Sequence, residues 1–488
     1  MADKTPDDDD TKWLCFGCIG EGYLRQKVER EGALSVCSYC GQKSRCFSIK
    51  QMSDVVESAF QEHYRRTAAE PDYIQEMMHR DREFDYTWYR DGDATAIAIA
   101  GAAHIDEQPA ADIQEALDNK HSSFDTYYEE SEFSSDAHYE EKAANGASWM
   151  NAWLKFEHQL KGKSRFFNLE AAKILGAIFD GIESLATHSG KRAIINIGPK
   201  NRIKSLYRAR EFQTDEGLQK GIGQPEKEIG PPPFHIAAAG RMNARGISVF
   251  YGATSAAVAL SEVRPRVGSR VLLGRFEMVR PLRLLDLAAL RQVRVTGSIF
   301  DPEFLGLLER VKFLDLLSTR MLVPVMPGDE VLDYLPTQVI ADYLANEAIP
   351  PLDGILYPSV QAAEKSGRNV VLFHKSCLVQ EASLPLGTKI SSSLYRETDE
   401  GLEGDYFVTE ETPRPGPGVR QEGAQIPSII AEQDWTAARE YGDLREVALK
   451  LDRDSLEIHK INSVKISTSR HRVSRYQREA QDPENPDF

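Results

Sequence analysis

The chain has 488 residues, too many for one ordinary hydrophobic core, so two or three folding units are expected. Lysine and arginine total 59 against 75 aspartates and glutamates, a net charge of −16, and so bulk charge argues against nucleic acid as a partner. No run approaches the roughly 20 apolar residues that span a bilayer, and Met1 to Asp10 is acidic where a signal peptide would be basic, so a cytoplasmic protein with no membrane partner is expected.

The first informative segment holds Cys15-Phe16-Gly17-Cys18 and Cys37-Ser38-Tyr39-Cys40-Gly41, separated by residues 19–36. In a reducing compartment two such pairs indicate a metal rather than disulfides, and the spacing matches a four-cysteine zinc ribbon over residues 1–50. Four thiolates leave no open coordination position, so Cys15, Cys18, Cys37 and Cys40 predict a structural zinc, with Cys46 and Cys377 as spectators.

A helical region is expected over residues 51–190. Met52, Val55, Val56, Ala59, Phe60 and Tyr64 recur at the helical period, as do Leu175, Ile178, Phe179, Ile182 and Leu185. Between these two sets, His104 to Lys142 is rich in acidic residues and reads as solvated surface.

From Arg192 the texture changes, and a mixed α and β domain is expected over residues 191–390. Strands are predicted at Ala193 to Ile197, Ser248 to Tyr251, Val271 to Phe276, Leu284 to Leu287, Gly354 to Tyr357 and Val370 to Phe373. Helices are predicted near Ser255 to Val263, Glu303 to Ser318 and Thr337 to Asn346, and Gln213 to Pro233 reads as a loop over the site. Residues 391–488 form a small α/β extension: Thr412 to Gly418 is a break, Trp435 to Leu451 reads helical, and His459 to Thr468 reads as a strand. The fold class is α+β, and no internal repeat is visible.

Chemistry concentrates in the run Gly240-Arg241-Met242-Asn243-Ala244-Arg245-Gly246, followed by Val249-Phe250-Tyr251 and then Glu262. A cation, an aromatic and a carboxylate in one short stretch suit an anionic nucleotide with a cleavable glycosidic bond. Arg208 and Arg241 each offer a guanidinium fork, and two forks suit a pyrophosphate. Tyr251 ends a strand, Glu262 ends the helix that Pro265 stops, and Ser359 follows the apolar run Gly354-Ile355-Leu356-Tyr357-Pro358. No Gly-x-Gly-x-x-Gly turn and no phosphate-binding Gly-x4-Gly-Lys-Ser/Thr loop occurs, so a nucleotide here is substrate rather than cofactor. A HEPN-type ribonuclease needs Arg and His on one helix, whereas Arg368 and His374 straddle an apolar strand.

These blocks, together with Leu335-Pro336-Thr337-Gln338 and Asp353 to Ser359, resemble the RES family over roughly Lys204 to Leu378. The leading cysteine segment is similar to the amino-terminal domain of some RES and HEPN effectors. The resemblance implies a mixed sheet like that of ADP-ribosyltransferase toxins, NAD as substrate, and a toxin or defence effector that breaks the nicotinamide–ribose bond. It carries onto Glu262, Tyr251 and Ser359 as catalytic residues and onto Arg208 and Arg241 as substrate-binding residues. Glu262 would stabilise the ribosyl cation, Tyr251 would orient the nicotinamide ribose, and Ser359 would position Glu262 or the acceptor. The acceptor, whether phosphate, water or a protein side chain, is not written in these residues.

Two departures stand out: Met242 occupies a position that is usually aromatic in the family, and the span from Glu262 to Ser359 is long. The competing readings are an ADP-ribosyltransferase that modifies a protein and a non-enzymatic zinc-ribbon interaction protein. An NAD-consuming enzyme needs restraint, expected from an inhibitory antitoxin protein or from the acidic stretch Asp125 to Glu141, where Glu129, Glu130 and Glu132 would engage the site arginines. Oligomeric state is left open.

Overall fold

In the computed structural model, the residues described are 11–80, 87–122, 130–165, 167–323, 325, 328–359, 367–399, 401–413, 443, 445–464 and 468–476. The chain divides into two compact units, Met1–Asn196 with Ala238–Ile247 and Arg283–Tyr357, and Ile197–Ala237 with Ser248–Leu282 and Pro358–Phe488.

The first unit opens with a three-stranded antiparallel sheet in which Lys43–Ser48 lies between Trp13–Cys15 and Ala33–Val36. The expected amphipathic helix follows as Ile49–His63. Ser48 and Gln51 close a reciprocal capping box at its start, and Met52, Val56, Ala59 and Phe60 are buried along one stripe. The acidic stretch contains a helix, Glu107–His121, and a strand, His138–Glu141, paired with Tyr64–Arg66 and Asp93–Ala94. Phe60, Phe133 and Tyr139 stack beneath that small sheet with centroids 5.3 to 6.1 Å apart.

Glu130 does not serve the site arginines. Arg90 grips it with two bonds of 2.6 and 2.8 Å within the same unit, and Glu132 lies 3.6 Å from His121. Glu129 lies outside the described residues. The acidic stretch is therefore neutralised locally, and the expectation that Glu130 blocks the site from within the chain is corrected.

Farther along, the second predicted helix appears as Leu169–Phe179 and stops short of Ile182 and Leu185, which enter a single 3-10 turn and the residue after it. Gly181 at φ 55° makes that break. The long helices Phe304–Leu322 and Leu335–Asn346 account for the extra length between Glu262 and Ser359. Leu284 and Asp286 pair in parallel with Gly354 and Leu356.

The second unit carries five antiparallel strands in the order Leu449–Lys460, Arg270–Met278, Ser205–Phe212, Phe250–Ala253, Arg368–Leu372. Strand senses are thus antiparallel here and parallel between the pair in the first unit, giving the mixed α+β character expected. The stretch expected as a loop over 213–233 is instead largely helical, Asp215–Gly223 then Pro225–Glu228. Thr214 caps the first turn, Asp215 and Glu216 favour its amino end, and Leu218 and Ile222 are buried.

The carboxy-terminal extension contributes strands rather than the predicted helix. Lys389–Thr398 pairs with Gly401–Glu411, and Leu449–Lys460 begins inside the stretch that reads helical and ends where a strand was placed. Buried Leu449 and Leu451 alternate with exposed residues, the period of a half-covered strand. Residues 414–442 lie outside the described residues, as does most of the expected break.

Candidate functional site

Four sulfurs meet in the first unit. The Sγ atoms of Cys15, Cys18, Cys37 and Cys40 all lie within 4.8 Å of one another, with Cys15 3.6 Å from both Cys18 and Cys40 and Cys18 3.9 Å from Cys37. A tetrahedral thiolate site with metal–sulfur bonds of about 2.3 Å has sulfur–sulfur edges of about 3.8 Å, so the four residues fit a metal ion. Burial pushes the Cys37 thiol up, but backbone N–H groups of Cys40, Tyr39 and Cys15 overcome it and bring the thiol down to about 7. Gly41, at φ 73°, allows the knuckle to turn back. Tyr39 donates to Asp112 Oδ2 at 2.7 Å, while Lys12 donates to Asp112 Oδ1 at 2.8 Å, which ties the second knuckle to the helix Glu107–His121.

The carboxylate site assembles in the second unit. Antiparallel pairing sets Asn369 opposite Ala253 and Val371 opposite Tyr251. Thr254 then bonds Arg368 both ways, its N–H to the carbonyl at 2.9 Å and its Oγ1 accepting from the Arg368 N–H at 3.2 Å. Ser255 caps the helix Ala256–Glu262, which buries Val258 and Ala259 against Ala209, Ala253, Val271 and Leu273. Arg264, in the left-handed region at φ 47°, prevents continuation and leaves Glu262 as the last helical residue.

Glu262 is exposed, and its Oε2 accepts from Asn369 Nδ2 at 3.0 Å. Asn369 is only 2% exposed, and its Oδ1 has no hydrogen-bond partner among the described residues. An amide thus ties down the carboxylate on one side and offers an unanswered acceptor on the other, an arrangement that suits a ligand hydroxyl. Tyr251, half-buried, shares the Ala253 and Asn369 face by strand alternation. The Ser359 N–H donates to the Gly367 carbonyl at 3.3 Å, so the strand end carrying Ser359 meets the start of the Asn369 strand. Sequence reasoning gave Asn369 no role; its signal was only its place in the Gly-Arg-Asn-Val-Val block.

Arg208 sits on the reverse face. Tyr207 pairs with Ala253, so the neighbouring Arg208 points to the side of Phe250, and its guanidinium lies 5.1 Å from that ring. Gly274 is its partner on the other strand. Its Nη1 is shut off from solvent with no hydrogen-bond partner among the described residues. Burial holds the guanidinium down to about 10, Arg210 adds to the effect, and Cys377 and Tyr251 oppose it. Strand alternation therefore brings Tyr251, Glu262 and Asn369 together and puts Arg208 behind them.

Arg241 belongs to the first unit. Its Nη1 donates to the carbonyls of Met321 and Leu322 at 3.2 and 3.0 Å, where a cation suits the end of the helix Phe304–Leu322. Its guanidinium also lies 5.9 Å from the Tyr334 ring. Thr337 and Gln338 donate to the carbonyls of Arg241 and Gly240, and Asn243 reaches three carbonyls of its own turn, fixing the Gly-Arg-Met-Asn segment. Met242 is buried at 2% exposed, a core position rather than a stacking surface.

Residues 206–388 match the family model described as RES domain, a span that contains Arg208, Arg241, Tyr251, Glu262, Ser359 and Asn369. The chain thus carries a RES domain, which supports an NAD-related effector role and NAD-acting enzyme activity in general. No curated protein and no solved structure matches the chain. No helix among the described residues is long and apolar enough to cross a membrane.

Proposed function

We propose that this chain is an NAD-degrading enzyme that cleaves the nicotinamide–ribose bond by phosphorolysis or hydrolysis and acts as a toxin or defence effector in the cytoplasm. The observation that carries the reading is the Glu262–Asn369 pair inside the RES-matched span: an exposed carboxylate held at 3.0 Å by a buried amide whose oxygen is unanswered.

Breaking the bond between C1′ and the pyridinium nitrogen sends the electron pair to nicotinamide, which leaves neutral, and positive charge develops on the ribose. Glu262 lies ready to stabilise that charge, while Asn369 Oδ1 accepts from a ribose hydroxyl and keeps the sugar in register. Tyr251 covers the same face and orients the nicotinamide ribose, and Ser359 assists at the strand end. Water or phosphate then bonds to C1′ and loses a proton to solvent or to Glu262. Arg208 and Arg241 are assigned to the pyrophosphate, and an inhibitory antitoxin is the expected restraint. Zinc is the metal assigned to Cys15, Cys18, Cys37 and Cys40, in a structural role.

Incubating the chain with NAD, with and without inorganic phosphate, and resolving products by mass tests the reading. Free nicotinamide with ADP-ribose means hydrolysis, and nicotinamide with a phosphorylated ADP-ribose means phosphorolysis. A mass increment on an added protein would instead establish transfer to a side chain. NAD that survives intact in every mixture would overturn the assignment.

A further inference from the structure

The first unit holds two cavities that share Glu62 as a lining residue. One, of about 480 Å³, is lined by Glu62, Glu140, Glu141, Glu309, Arg65 and Lys142 among others. The other, of about 310 Å³, has an apolar wall that includes Val55, Ala59, Ile299 and Phe300.

Most of the charge in the first cavity is already answered. Arg65 pairs with Glu140 at 2.5 Å, Lys142 Nζ donates to the Gln61 carbonyl at 2.6 Å, and Glu309 accepts from Ser148 Oγ at 2.6 Å. Glu62 and Glu141 have no lysine or arginine within ion-pair distance among the described residues; Glu141 accepts only a 3.4 Å bond from the Tyr64 hydroxyl. Beside them stands a second, independent anomaly. His63 is 5% exposed, lies 6.1 Å from the Phe304 ring, and its buried Nε2 has no hydrogen-bond partner among the described residues. The nitrogen faces the cavity wall, with Glu62 Oε2 4.0 Å away. Burial lowers the His63 pKa, against the pull of Glu62 and Glu141, so the ring is neutral at pH 7 and does not compensate either carboxylate.

Two uncompensated carboxylates and one unpaired imidazole nitrogen supply three acceptors, which match the three donors of an ammonium group. The apolar wall beyond Glu62 suits an aliphatic stem. The only cluster of His, Cys, Asp and Glu close enough to hold a metal among the described residues is the cysteine one, so the site favours an organic cation over a metal ion. We propose that these cavities bind an alkylammonium group, its head at Glu62, Glu141 and His63 Nε2 and its stem along Val55, Ala59 and Phe300. A free diamine and a lysine side chain of a partner peptide both carry that group.

Calorimetric titration of the full chain with 1,5-diaminopentane and with an acetylated, amidated Ala-Lys-Ala peptide tests the proposal, with 1-pentanol as the neutral control. Saturable binding of at least one amine is expected, with none for the alcohol. Glu62→Gln and Glu141→Gln should each weaken that binding by about tenfold, the equivalent of one lost ion pair. Saturation should also shift the His63 imidazole nitrogen resonances, and Glu62→Gln should abolish that shift. Tighter binding of the diamine identifies a small-molecule site, and tighter binding of the peptide identifies a lysine-reading one. No saturable heat up to about 10 mM of either amine, equal binding of the alcohol, or unchanged affinity in both variants would overturn the proposal. It stands independently of the NAD reading, since none of its measurements uses NAD.

Discussion

The cysteine knuckles and the Glu262 site solve opposite problems. At the knuckles the four sulfurs face one another within 4.8 Å and the surroundings hold them, with Tyr39 bonded to Asp112 and Gly41 turning the chain. At Glu262 the arrangement is left incomplete: the carboxylate is exposed and the Asn369 oxygen is buried without a partner. A saturated cluster suits permanence, whereas an unsaturated one waits for a ligand.

The most damaging way to test that contrast is to open the knuckles. Cys37→Ser combined with Cys40→Ser should drop metal content from one per chain to none by elemental analysis and erase the order of the leading segment in hydrogen exchange. The loss should be at least several kcal/mol, since structural metal affinity is folding free energy. Full metal retention in the double variant would break the assignment.

On the other side of the comparison, Glu262→Gln should leave the melting temperature unchanged because the side chain is exposed, yet cut NAD turnover by about 3 kcal/mol, roughly a hundredfold. Unchanged turnover would remove Glu262 from the chemistry.

A third probe weakens the knuckle support without touching a sulfur. Asp112→Asn should cost about 2 kcal/mol by replacing a buried, charge-assisted acceptor. Burial works to raise the Asp112 pKa, but the bonds from Lys12 and Tyr39 win and leave it below the ordinary value. Because the folded pKa is depressed, the associated stability is present above the unfolded value near pH 4 and is lost as pH falls through the folded one. Acid melting curves should therefore converge for wild type and Asp112→Asn.

The smallest expected effect belongs to Asn369→Ala, which should reduce NAD turnover by about 1 to 1.5 kcal/mol, roughly tenfold, through loss of one positioning bond. Asn369→Asp places a second carboxylate beside Glu262 and should shift the acidic limb of the pH–rate profile upward, which a merely structural amide would not do. An unmoved profile would reduce Asn369 to packing.

The knuckles were legible because all four ligands lie in two short pairs, so spacing alone carries the chemistry. Glu262, Tyr251 and the helix between them were legible for the same reason of proximity. Asn369 was not, since its relation to Glu262 depends on the strand register that sets it across from Ala253. Nor could local sequence show that Arg208 faces Phe250 and lies behind Tyr251, which follows from pairing between distant strands. The helix Asp215–Gly223 was misread because Gly217, Gly221 and Gly223 resemble loop chemistry. A Cβ on Gly221 would come within 2.7 Å of the Phe212 ring, so this glycine serves close packing inside a helix.

The strand Leu449–Lys460 bears on how this protein can be cut. The family match ends at residue 388, but this strand pairs along Arg270–Met278, from Arg270 opposite Lys460 to Met278 opposite Leu449. Leu451 and Leu456 also fill the space over Gly274. A fragment trimmed to the matched span would bare a long apolar strand edge holding Val271, Leu272 and Phe276, a template for intermolecular pairing. Insolubility of such a fragment would reflect a missing neighbour supplied by the far end of the chain, so the smallest unit able to fold around the carboxylate site extends through Lys460.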